Sequence, residues 1–238
     1  MRETLKNSAG ENRGGQNRIG RRAVLGGLAG TGLLALPACS TMQGYGLTEA
    51  IRRLLLLSSQ RAFAQLTAPG GFYDNALNRL ELPGQFRSTG HKLADFLASA
   101  VFKSRLQKAF NAMAEDGAER AAPLVADAVR GVSIADAAAL IRSGPTGATQ
   151  FLHQAMGATL IEAMVPALGD ALRVAQDPLV GQALSSLAGV DDVGGVARSF
   201  AGQVDDKIWG AIGREEAAIR ADPAATRDPV LIGVFGKL

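Results

Sequence analysis

Apolar residues recur every three or four positions along most of this chain, which is the spacing of one face of an α-helix. In the segment Leu47–Leu66 they cover so much of the surface that we expect this helix to be buried on most sides. No segment shows the alternation of β-branched and polar residues that is typical of strands. The pattern predicts an all-α fold, a single domain of about seven to nine helices.

Proline and glycine residues divide the apolar pattern into helices. Two stretches, Leu93–Met113 and Glu115–Arg130, are predicted to be helical, with Pro123 marking a kink or a new helix start. The stretch Thr146–Val165 is predicted to be one further helix, which Pro166 breaks or bends.

Capping residues and apolar spacing define the remaining elements. Ser133 is predicted to cap the next helix, with Asp136 three residues later in a box-like spacing. A short helix is predicted over Asp177–Leu187, and the last long helix carries one apolar seam over Val196–Ile219. The tail Pro229–Leu238 is apolar, so we expect it to pack on the domain.

The N-terminal segment has the pattern of a cleavable export signal. The first 22 residues carry six basic and two acidic side chains, and residues 23–38 then run uncharged and mostly apolar. This apolar run is shorter than the ~20 residues that a membrane-spanning helix needs. The pair Arg21–Arg22 resembles a twin-arginine export signal, and Leu36–Cys39 resembles a lipobox.

Cys39 is the only cysteine in the chain, and it stands where a lipobox is acylated. A small buried residue is the alternative interpretation, because free cysteines are often buried. Acyl chains on Cys39 would anchor the protein, since each buried methylene contributes about 0.8 kcal/mol. Ser40 stands where many inner-membrane lipoproteins carry Asp, so we expect the periplasmic face of the envelope, with the outer membrane favoured over the inner. The predicted organisation is an export signal over 1–38, a tether over 39–46 and a helical domain over 47–238.

The positive charge of the full chain belongs to the leader. After residue 22 the chain carries 19 basic and 20 acidic residues, a net charge of about −1. A nucleic-acid-binding domain needs a basic face, so we expect no nucleic acid among the partners.

Residues suited to catalysis or metal binding are few. His91 and His153 are distant in sequence and lack a cysteine partner, whereas zinc needs about four spaced ligands. Asp191 and Asp192 lack the alternating oxygen ligands of a calcium loop, so helix capping is favoured. No nucleophile motif occurs, so no catalytic residue, metal or cofactor is predicted.

Two acidic pairs, Asp205–Asp206 and Glu215–Glu216, lie on the last long predicted helix. Asp205 and Glu216 are about 16 Å apart along the helix axis, more than paired catalytic carboxylates. We interpret the pairs as a solvated acidic face opposite the apolar seam. The turn Gly144–Gly147 precedes a helix and is of the type that holds an anion there, but it lacks the lysine of a phosphate loop, so an ordinary loop is favoured.

Several short segments spread over residues 47–236 carry a family resemblance: Leu47–Ile51, Arg61–Ala62, Phe72, Asp136–Ala137, Gly147–Phe151, Glu215–Arg220, Pro223 and Val234–Gly236. Together they resemble the bacterial envelope domain-of-unknown-function family 4197. The resemblance implies one helical domain behind a signal peptide or lipobox, with no assigned activity. Its motifs and their surroundings supply four candidate ligand-binding residues, namely Thr149, His153, Glu215 and Glu216.

Two functions from different classes follow from these features. The first is a non-enzymatic, lipid-anchored module that binds or organises a component of the cell envelope, in one version an apolar ligand or lipid held between helices. Its protein partner, if it has one, is not indicated by any motif. The alternative is an enzyme acting on a periplasmic or cell-wall substrate, since the twin-arginine route exports proteins already folded.

Overall fold

A computed structural model describes residues 38–82, 99–174 and 193–236 of the chain. Several sequence predictions fall outside these ranges: the export signal with Arg21 and Arg22, His91, the helix Asp177–Leu187, and Asp191–Asp192. The backbone of Cys39 is described, but its side chain is not.

The described residues form seven α-helices and one 3-10 turn, without a strand, which confirms the all-α prediction. The bounds of the helices are α1 Ala38–Leu66, α2 Ala100–Gly131, α3 Ala137–Arg142, α4 Gly147–Met156, α5 Thr159–Val174, α6 Val193–Ala221 and α7 Pro229–Phe235. The 3-10 turn Pro223–Thr226 joins α6 to α7.

Helix α6 lies at the centre of the packing, between α1 and α5, and it also contacts α2 and α4. Its predicted apolar seam is confirmed, because every seam residue from Val196 to Ile219 is buried. Phe200 of this seam meets Phe110 of α2 edge-to-face, with ring centroids 5.2 Å apart. Such aromatic pairs are favourable beyond the area they bury.

Helix α1 ends at Leu66 as predicted but begins at Ala38, so the predicted tether 39–46 is helical. Gly44 and Gly46 each lower helix propensity by about 1 kcal/mol, which does not end a helix that the following turns have nucleated. After α1 the chain turns sharply at Gly70, whose φ is +80°. A side chain at Gly71 would overlap the carbonyl oxygens at the end of α1, so this turn requires glycine.

The prediction of one helix over Thr146–Val165 is wrong, because α4 and α5 meet at a bend of 67°. The break lies at Gly157, which ends α4 with a φ of +54° that L-residues rarely adopt. Pro166 lies inside α5, and Pro123 lies inside a continuous α2. Both prolines are exposed, so water can satisfy the carbonyl groups that they leave without a partner.

The cap of α3 is Asp136 and not Ser133, which corrects a second prediction. The Asp136 carboxylate accepts a hydrogen bond of 2.8 Å from the Ala139 amide. The tail packs on the domain as predicted, because α7 buries Leu231 and Phe235.

Candidate functional site

The second half of α6 carries a carboxylate that is fully buried, that of Glu216. One of its oxygens accepts from the Ala148 amide (3.0 Å) and from Nε of Arg220 (2.8 Å). The other accepts from the amide and from the hydroxyl of Thr149, both at 2.6 Å. The two amides belong to the first turn of α4, where a helix has no internal partner for its N–H groups. Glu216 therefore caps α4 from a neighbouring helix.

Arg220 extends this network to α3 and α7. Its Nη1 and Nη2 groups donate to the carbonyl oxygens of Ile141 (2.7 Å) and Leu140 (2.9 Å), which end α3. The guanidinium also lies over the ring of Phe235, 4.8 Å from its centroid. One side chain therefore joins the ends of α3, α6 and α7, and it compensates the charge of Glu216. We name Glu216, Arg220 and the first turn of α4 the buried clamp.

The close approach of α6 to α4 depends on Gly213. A Cβ at this position would lie 3.3 Å from Cγ2 of Thr146 and 3.9 Å from Cγ2 of Thr149. Because the contact with Thr146 is tighter than most carbon contacts, a side chain at Gly213 would require Thr146 to shift by a few tenths of an ångström.

The buried clamp changes the interpretation of three predicted features. The predicted solvated acidic face is wrong for Glu216 and for Asp205, both of which are buried, whereas Asp206 is exposed. At the turn Gly144–Gly147 an ordinary loop was favoured over an anion site, yet the helix that follows does hold an anionic group, the protein's own Glu216 carboxylate. Two of the four candidate ligand-binding residues, Thr149 and Glu216, therefore contact each other.

Glu215 and His153, the other two candidates, lie apart from the clamp's hydrogen bonds. Glu215 is partly exposed and accepts a hydrogen bond of 2.6 Å from Gln65 of α1. His153 of α4 stacks on Trp209 of α6, with ring centroids 4.7 Å apart and an interplanar angle of 18°. Nε2 of His153 lies 3.5 Å from a carboxylate oxygen of Asp205.

The other oxygen of Asp205 accepts a hydrogen bond of 3.0 Å from the indole of Trp209. Burial raises the pKa of the Asp205 carboxyl above its ordinary value, and the neighbouring His153 and indole only partly oppose this effect. A histidine beside a carboxylate is the arrangement that activates a nucleophile. Among the described residues no hydroxyl or thiol hydrogen-bonds His153.

The sequence patterns do not single out Arg220 or Trp209 as site residues. One signal was available for the clamp, because Ile208, Ile212, Glu216 and Arg220 follow one another at intervals of four. Residues at this interval lie on one helix face, so Glu216 and Arg220 continue the apolar seam.

Within the described ranges no three His, Cys, Asp or Glu side chains lie close enough to hold a metal ion. No single described helix has the length and apolar composition of a membrane span, although α4 and most of α5 meet those criteria together as a bent pair. More than half of the residues of α4 are buried or partly buried. The apolar face of α5 is buried as well.

Comparison with known proteins gives one match. The model of a protein family, described as protein of unknown function (DUF4197), matches residues 42–236. No curated protein and no solved structure matches the chain. Two of the motif segments that carry the resemblance, Gly147–Phe151 and Glu215–Arg220, are the segments that the buried clamp joins.

We predict that Glu216→Ala destabilises the fold by about 3–5 kcal/mol, because it leaves Arg220 and two amides without their partner. The neighbouring substitution Glu215→Ala removes one exposed hydrogen bond and should cost about 1 kcal/mol or less. Urea unfolding followed by circular dichroism measures both values. Equal losses for the two variants would contradict the clamp.

We predict that Asp205→Asn removes a pH-dependent loss of stability. The raised pKa means that the folded state binds this proton more tightly than the unfolded chain. The free energy of unfolding should therefore fall as pH rises. The fall begins near pH 4, the ordinary pKa of Asp, and ends above the raised pKa of Asp205 in the folded state. The amide stays neutral and can still accept from Trp209.

The measurement is the free energy of unfolding of wild type, Asp205→Asn and the control Asp206→Asn across this pH range. The stability of Asp205→Asn relative to wild type should increase with pH, and the control should retain the wild-type decline. A constant difference between Asp205→Asn and wild type would show that the buried carboxyl does not titrate as described.

Proposed function

The chain belongs to the DUF4197 family, and we propose that it is a non-enzymatic, lipid-anchored module on the periplasmic face of the cell envelope that binds an apolar chain. The observation that carries the proposal is a groove between α1 and α2, which we name the α1–α2 groove. Its volume is about 500 Å³, within the range of small-molecule sites.

The lining of the α1–α2 groove is apolar and built largely from small side chains. Its apolar members are Leu56, Phe63, Ala64, Ala122, Pro123 and Ala126. The hydroxyls of Ser59 and Thr67, which also line it, donate to the Leu55 and Phe63 carbonyls of their own helix, at 2.7 and 2.8 Å. Since these donors are already used, the groove offers mainly carbon atoms to an occupant.

The shape of the groove suits one extended chain. It follows α1 from Leu56 to the helix end and includes Thr67 just beyond it, a distance of about 16 Å at 1.5 Å per residue. The charged residues in the lining are Glu119 and Arg130, and Arg130 is paired with Asp127. An uncharged hydrocarbon, such as the acyl chain of a lipid, therefore matches the groove better than a polar ligand does.

The predicted anchor supports a lipid as the source of that chain. Helix α1 begins beside Cys39 and continues without a break to the groove. At 1.5 Å per residue, Leu56 lies about 26 Å along the helix from Cys39. An acylated Cys39 would keep the groove within a short distance of the bilayer.

Catalysis on a periplasmic substrate is the alternative, and the pair of Asp205 with His153 is the observation that favours it. That pair lacks a nucleophile within the described residues. We therefore rank binding above catalysis.

We predict that the protein binds N-phenyl-1-naphthylamine, an uncharged apolar fluorophore, and that Ala126→Trp weakens this binding about tenfold or more. The indole would fill the groove, and each loss of about 1.4 kcal/mol is a factor of ten in affinity. The control is Ala163→Trp, at an exposed alanine of α5 away from the groove. Fluorescence titration measures both, with melting temperatures to show that each variant is folded. Equal affinity of the two variants would reject the groove as the binding site.

A separate prediction concerns the anchor. Cys39→Ser removes the thiol that is acylated, so the variant should move from the membrane fraction to the soluble fraction. Fractionation of cells followed by immunoblotting measures this directly. A variant that sediments with membranes as completely as wild type would show that Cys39 is not the anchor.

A further inference from the structure

A second cavity lies on another side of the domain, where α3, α6 and α7 meet. Its volume is about 480 Å³, and we name it the arginine cavity. Eight of the described residues line it; two of them are arginines, Arg142 and Arg220, and none of the eight is acidic. The carboxylate of Glu216, which is bound to Arg220, is fully buried and does not line the cavity.

Arg220 presents a fixed guanidinium to the arginine cavity. Its side chain is 10% exposed, and three of its N–H groups are directed to Glu216, Ile141 and Leu140. A guanidinium carries five N–H groups, so two are not used by these three partners. Because the ring of Phe235 lies against the guanidinium, a ligand would meet donors whose positions are already fixed.

Arg142 supplies a positive charge that no described acid compensates. It is the last residue of α3, it is exposed, and it forms no hydrogen bond or ion pair within the described part of the chain. The cavity is attractive to an anion because Arg142 contributes an uncompensated positive charge and Arg220, whose charge Glu216 compensates, contributes hydrogen-bond donors. The guanidinium fork matches carboxylate and phosphate oxygens.

The remainder of the arginine cavity is apolar. Its apolar lining residues are Ile141, Pro145, Ala217, Ala221 and Phe235. A bare inorganic ion would leave it in contact with water, whereas an anion with a hydrocarbon body would cover it.

We infer that the arginine cavity binds a small organic acid, with its oxyanion between Arg142 and Arg220 and its apolar body against Phe235 and Pro145. This site is separate from the α1–α2 groove and does not depend on the function proposed for it. Carboxylate and phosphate headgroups share the required chemistry.

The test is calorimetric titration of the full chain carrying Cys39→Ser and Ala126→Trp, the second of which fills the α1–α2 groove, with three ligands of equal chain length: octanoate, octyl phosphate and 1-octanol. Octanoate or octyl phosphate should bind about tenfold tighter than octanol, because charge-assisted hydrogen bonds add to the shared apolar contact. The stronger of the two anions identifies the headgroup. Equal affinity for all three ligands would overturn the inference.

Substitution of Arg142 locates the site without disturbing the clamp, since Arg142 is exposed and Arg220 stays in place. Arg142→Gln should reduce the preference for the anion over octanol to about twofold or less, and more salt should do the same in wild type. The control is Arg105→Gln, at an exposed arginine of α2 that does not line the cavity. An unchanged preference in Arg142→Gln, or an equal loss in Arg105→Gln, would also overturn the inference.

Discussion

The arrangement of α3, α4 and α6 depends on one buried carboxylate, that of Glu216. Moving a charge out of water costs several kcal/mol, and the cost is offset only when the partners and their geometry are complete. Here four donors surround the carboxylate at 2.6–3.0 Å. Two of them are first-turn amides of α4, which also present the positive end of the helix dipole. The position of α4 on α6 is therefore fixed by hydrogen-bond geometry as well as by apolar contact.

The same network prepares one of the two cavities. Arg220 holds Glu216, ends α3 and lies against Phe235 of α7, so its remaining donors are fixed before any ligand arrives. Fixed donors lower the entropy lost on binding. The α1–α2 groove differs, because it is formed by apolar and small side chains whose polar groups are already bonded. Our two proposals therefore assign different chemistry to the two cavities, a hydrocarbon to the α1–α2 groove and an organic anion to the arginine cavity.

The sequence predicts those parts of the fold that depend on burying one face of a helix. The seam from Val196 to Ile219 is an example, because apolar spacing determines that face whatever packs against it. The bend at Gly157 was not predictable in this way, since glycine is compatible with both helix and turn. The acidic pairs are predicted to form a solvated face opposite the apolar seam, and the capping partners of Glu216 lie more than 60 residues away in sequence. The interval of four from Ile212 to Glu216 was the one local signal of its burial.

Hydrogen exchange of two backbone amides tests the buried clamp most directly. First-turn amides of a helix normally exchange quickly, because they have no partner within the helix. If Glu216 accepts from them, the amides of Ala148 and Thr149 should exchange as slowly as core amides of α6, such as that of Ile212, and only through global unfolding. Rapid exchange of both amides in a folded protein, with Ile212 still protected, would show that Glu216 does not hold the first turn of α4.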